Sequence, residues 1–226
     1  MNNQNGEKYF DEYPLKIKIR DKNRLETFID GVFAIAITLL GLEFVTPVVY
    51  HSDQALIGFF SNLHPLFLGY FLSFLLLGIL LNIHHRQFRY MRCADTTNWW
   101  INIILLSFIV LVPFATSIWT DYPETRVAVL FFQINMLIAS LMLLINWEYV
   151  KRRPKLLFKN VSPQDIKIIS YRNLAVPVAS LIAIFLAFIN PFFSNLAYGF
   201  IIIIFFLANR HQRVLIKKVD KNRGNG

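Results

Sequence analysis

RLETFIDGVFAIAITLLGLE, residues 24–43, holds an apolar run in which Asp30 is the single ionisable residue between Thr27 and Leu42. From Phe28 to Val45 it approaches the length of about 20 residues that a helix needs to cross a bilayer. With Ile35 set to zero and a helical period of 3.6, Gly31 falls at about −40° and Thr38 at about −60°. Phe28, Leu39 and Leu42 lie at about +20°, +40° and −20°, so one stripe mixes small, hydroxyl and branched apolar side chains. Asp30 falls at about −140°, away from that stripe. A charged residue at a bilayer centre costs about 2.5–3.5 kcal/mol on insertion scales and normally faces protein or water. Near a helix end Asp30 costs less, yet it still calls for a partner. The helix therefore has two faces to satisfy. Copies arranged around a symmetry axis could turn the Ile35/Thr38/Leu42 stripe into a pore wall. Alternatively, Gly31, Ala34, Ala36 and Thr38 are small helix-packing positions of a kind found in many membrane bundles. Spacing alone leaves both open.

Similar runs recur along the chain. Residues 55–83, 99–119, 127–150, 174–189 and 192–209 complete a set of six predicted helices. The fifth and sixth are short for a span, or begin earlier than these limits. The second can be tilted, or can start as an interfacial segment before Pro65. Apolar residues make up 55% of the 226 positions and charged residues 16%, against roughly 45–50% and about 25% in soluble domains. A chain this size cannot hide so much apolar area from water. The same composition excludes a disordered chain and a disulfide-stapled secreted domain, and the single Cys93 has no intrachain partner. The reading is an all-α integral membrane protein.

Charge distribution orients it. The net charge is +9, and of 23 Lys and Arg residues Arg126 alone falls on one side of the six-helix alternation. By the positive-inside rule both termini are cytoplasmic. The predicted organisation is a cytoplasmic segment over 1–27, a six-helix membrane domain over 28–209 and a basic cytoplasmic tail over 210–226. The first apolar run is too long for a signal peptide's h-region, so no cleaved leader is expected. On the outer side Glu43, Asp53, Asp121 and Glu124 either concentrate cations within a Debye length or simply reflect depletion of bases.

Other polar residues fit structural roles. Adjacent His84 and His85 point about 100° apart on a helix and cannot share a metal as an i, i+4 pair could. Asn102, Gln133, Asn135 and Asn146 read as interhelical hydrogen-bonding groups. Pro113 and Pro177 are expected to bend their helices. Trp99, Trp100, Trp119 and Trp147 sit near span ends, where an aromatic belt forms. Lys151-Arg152-Arg153 can meet anionic lipid, although topology alone explains that run. No phosphate loop, nucleophile elbow or zinc-protease motif occurs, so no enzyme is predicted, and no cofactor, metal or nucleic-acid partner.

Arg24, Phe28 and Asp30 match the R-x-x-x-F-S-D signature of the transmembrane protein 175 family of potassium channels, which the chain therefore resembles. The likeness extends through the Ala-Ile-Ala-Ile-Thr-Leu-Leu run, through His84, His85, Arg86 and Phe88, and through Asn102 with Pro113-Phe114-Ala115-Thr116. Ile29 departs from it, standing where the family has Ser. The resemblance implies a homotetramer in the cell's inner membrane, with first helices lining a potassium-conducting pore that lacks a re-entrant filter. It implies a constriction at Ile35, an apolar wall continued by Leu39 and Leu42, and a selectivity layer at Thr38. Arg24, Phe28, Asp30, His84 and Asn102 would form a signature and packing network that does not touch the ion, with one of His84 and His85 hydrogen-bonded to the Asp30 region. The alternative class is a proton-coupled secondary transporter in which Asp30 or Glu43 titrates.

Overall fold

The computed structural model describes residues 21–44 and 52–199. The predicted 1–20 segment, the end of the first helix at Val45, most of the sixth helix and the 210–226 tail lie outside the described residues.

Every regular element among the described residues is helical. Helix α1 covers Lys22–Leu39 and tightens into a 3-10 turn over Leu40–Glu43. It starts ahead of the predicted Phe28 because Asp21 caps it, its carboxylate accepting from the Asn23 N–H at 2.9 Å. Arg24 is consequently part of the helix. The second predicted helix divides into α2 (Asp53–Asn62) and α3 (His64–Tyr90), with the break at Leu63. Pro65 is responsible, since it lacks an N–H and its ring clashes with a preceding turn. The 27 residues of α3 extend about 40 Å, more than a hydrocarbon core of about 30 Å requires.

The third predicted helix is likewise two pieces, α4 (Thr96–Val110) and α5 (Val112–Asp121), interrupted at Leu111 just before Pro113. Helix α6 (Arg126–Lys151) is continuous. The fifth begins well before Leu174: α7 (Pro163–Asn173) leads into α8 (Ala175–Ile189). Ser162 caps α7 by accepting from the Gln164 N–H, and Pro163 occupies the first turn, where its missing N–H costs nothing. Asn190 leaves the helical conformation, and α9 (Pro191–Ser194) opens the sixth predicted helix. Among the described residues five helical stretches are long and apolar enough to span a bilayer: Lys22–Glu43, His64–Tyr90, Thr96–Asp121, Arg126–Lys151 and Pro163–Ile189.

Among the described residues helix α6 is the hub, packing against α4, α5, α7 and α8, whereas α1 packs mainly on the second and third spans. In its most apolar window 28% of α1 is buried, against 50% for α6. Leu25, Ile29, Phe33, Ala36 and Leu40 form the buried stripe. Spans two and three meet closely at Gly69, where a Cβ would run into the Thr120 methyl. Trp119 and Trp147 are buried and do not form an interfacial belt. Trp119 lies against Phe132, and the Trp147 indole N–H donates to Ser170 Oγ at 2.9 Å.

Candidate pore-lining face

Helix α1 inserts one stripe into its own bundle and leaves the other uncovered. Ile35 is 59% exposed and Leu42 72%, and Gly31, Ala34 and Thr38 are exposed beside them. Leu39 is half-buried at the edge. Arg24 is exposed on the same stripe, one end turn away, and joins no hydrogen bond or ion pair among the described residues. Phe28, also on this face, is held by a stacked contact with Trp99 of the third span, centroids 6.3 Å apart. The Thr38 hydroxyl donates to the Ile35 carbonyl at 2.8 Å. That back-bond consumes its proton and leaves oxygen lone pairs as what the side chain can offer outward.

The rotation of α1 is set by contacts on its other side. Asp30 accepts a hydrogen bond from His85 Nε2 at 2.7 Å, tying the first span to the second. Their side chains are 43% and 41% exposed, so this pair sits at a boundary rather than in the core. Ile29, at the position of the family serine, is completely buried. It contributes apolar packing where a hydroxyl would have needed a partner.

His84 turns toward a different neighbour from His85. Its Nε2–H donates to Asn102 Oδ1 at 3.2 Å, and it is fully buried. Asn102 is one member of a larger buried cluster. Its Nδ2 donates to the Asn98 carbonyl and to Asn146 Oδ1, which also accepts from Asn98 Nδ2 at 2.7 Å. Asn146 in turn donates to Gln87 Oε1 at 2.8 Å, and Gln87 Nε2 donates to the Leu143 carbonyl. Spans two, three and four are thereby joined at one level. Asp95 extends the cluster, accepting from the Asn98 N–H and from the Tyr149 hydroxyl. Gln87 and Asn98 are absent from the sequence-based site. Their signal was spacing: Gln87 lies one turn beyond His84, and Asn98 one turn before Asn102.

At the far end of α1, Glu43 is half-buried and feels the negative charge of Asp121, which is exposed at the end of the third span. Asn135 and Gln133 bond elsewhere, to the Phe108 carbonyl and to Ser194 and Asn195.

Apolar spans, buried interhelical amides and one span with an uncovered small-and-hydroxyl stripe define a multi-pass α-helical membrane protein. Residues 24–113 match the family described as endosomal/lysosomal potassium channel TMEM175. A potassium channel of Chamaesiphon minutus is 30% identical over 180 residues, covering 77% of this chain and 88% of that protein. The crystal structure of a lysosomal potassium-selective channel TMEM175 homolog from the same organism superposes with a TM-score of 0.69 at 29% identity, covering 83% and 97% of the two chains. An endosomal/lysosomal proton channel TMEM175 of Gallus gallus is 34% identical over 110 residues, 46% of this chain and 22% of that protein. The chain belongs to the TMEM175 family.

Proposed function

We propose that the protein is a potassium-preferring cation channel assembled as a homotetramer, with the exposed stripe of α1 from each subunit lining a central pore. One observation carries this reading: Gly31, Ile35, Thr38 and Leu42 face out of the protomer that owns them. Relatives named as potassium channels support it. A single α1 cannot enclose a conduit, so the pore needs several copies.

Ile35 forms the constriction. A ring of branched apolar side chains resists wetting, so hydrated cations pass only when it widens or rotates aside. Leu39 and Leu42 continue the apolar wall. Thr38 follows one turn beyond Ile35, and four hydroxyl oxygens with free lone pairs can replace part of a cation's hydration at that level. Phe28, Asp30, His84 and Asn102 act as a positioning network, and Arg24, exposed without a partner among the described residues, stands outside it within the protomer. Phe28 against Trp99 and Asp30 against His85 fix the rotation of α1, while His84 and Asn102 stiffen the second and third spans behind it.

The membrane domain extends over 28–209, with cytoplasmic segments over 1–27 and 210–226, both termini on the cytoplasmic face of the inner membrane. The Lys and Arg distribution supports that orientation. Potassium flux from liposomes carrying the purified protein tests the reading. Downhill flux with unitary currents and no dependence on a second gradient is expected. Saturable, slow flux coupled to a proton gradient would instead identify a transporter.

A further inference from the structure

We infer that the joined 2–3 and 4–5 loops, together with the first turns of α7, form a binding surface for an anionic phospholipid headgroup. The two loops are stitched by backbone hydrogen bonds: Arg92 N–H donates to the Leu156 carbonyl at 2.7 Å and Phe158 N–H to the Tyr90 carbonyl at 3.1 Å. Met91 and Leu157 form an antiparallel bridge between them. Helix α7 packs on both α3 and α6 beside this stitch, and the Trp147–Ser170 hydrogen bond fixes it there. The positive charges are thus carried on one tied unit rather than on independent loops.

The depth of this unit is read from the fifth span. Its exposed stripe is apolar through Phe185, Leu181, Val178 and Leu174. It then passes through Tyr171, 65% exposed, to Lys167, also exposed. An amphipathic ring followed one turn later by a cation marks the hydrocarbon–headgroup boundary. Phe158, exposed beside Lys159, supplies a second apolar anchor from the loop. Arg152, Arg153, Lys159 and Lys167 are exposed on this unit, and Arg89 is exposed beside it in the last turn of α3.

The facing acids are few. Glu148 is engaged by Lys151, and Asp95 is buried under the Tyr149 hydroxyl. Asp165, half-buried in the first turn of α7, is the remaining carboxylate on these loops. A phosphodiester headgroup complements that excess, each cation near the surface contributing about 1 kcal/mol. Because binding is measured without ion flux, this inference stands or falls separately from the conduction reading.

Native mass spectrometry of the whole protein in detergent, titrated with phosphatidylglycerol or with phosphatidylcholine of the same acyl chains, tests it. Preferential retention of phosphatidylglycerol is expected. The combined substitutions Arg153→Gln, Lys159→Gln and Lys167→Gln should reduce that preference by about tenfold or more. Lys159→Arg with Lys167→Arg should retain it, as should Arg126→Gln on the opposite side. Inorganic phosphate at millimolar levels should not displace the lipid. Equal retention of the two lipids, an undiminished preference in a triple variant with unchanged thermal unfolding, or displacement by phosphate would each overturn the inference.

Discussion

At the scale of single residues, Thr38 illustrates how a side chain's own hydrogen bond decides what it can offer a ligand. Its proton is committed to the Ile35 carbonyl, so the oxygen is left as an acceptor. Thr38→Ala removes that oxygen without changing the exposed packing of the protomer. Potassium-over-sodium preference should drop by up to roughly fivefold, the equivalent of about 1 kcal/mol for one lost polar contact, while current persists. Reversal potentials in mixed salt measure it, and an unchanged ratio would remove Thr38 from the selectivity layer. Gly69 is decided by space instead. Gly69→Val forces branched atoms into the Thr120 methyl, and overpacking of this kind costs about 1–3 kcal/mol. Thermal unfolding in detergent should show a lower midpoint, and none would mean that spans two and three separate easily there.

Elements show which parts of the chain were legible beforehand. The α1 stripe followed from period 3.6 alone, because its apolar, small and acidic positions segregate by angle. Its start did not, since a cap at Asp21 extends the helix through a charged stretch that composition assigns to the cytoplasm. The pieces at Leu63 and Leu111 trace to Pro65 and Pro113, whose ring geometry is local. Trp147 lies near a span end yet is buried, because proximity to a span end does not reveal which way a side chain turns. The Gln87–Asn98–Asn102–Asn146 cluster was legible only in part, since its bonds join three spans distant in sequence. Asn146→Leu would leave Asn98 Nδ2 and Gln87 Oε1 unpaired in a buried site. A loss of about 1–2 kcal/mol is expected, read as a lower unfolding midpoint, with Ser107→Ala on the exposed side of α4 nearly silent. Equal effects from the two substitutions would show that the cluster contributes nothing particular.

For the whole molecule, topology and assembly are the quantities at stake. Cys93 lies in the loop between the second and third spans and is the chain's single cysteine. A membrane-impermeant maleimide should reach it only from the cytoplasmic side, and labelling from outside would invert the topology. Burial pushes the Cys93 thiol up, with nearby Arg92 opposing that shift. Less thiolate is therefore present at neutral pH than in a free thiol, so labelling should be slow there and accelerate as pH rises toward the raised value. The sign for stability is the same: the folded state favours the protonated thiol, and this contribution fades as pH climbs through the folded pKa.

Assembly and conduction converge on Ile35. In the unitary potassium conductance of Ile35→Asn beside the unsubstituted protein, a polar ring should wet more readily than a branched one. Conductance or open probability should therefore rise several-fold. Unitary currents identical to those of the parent protein would contradict the account, because the Ile35 side chain would then lie outside the ion's path.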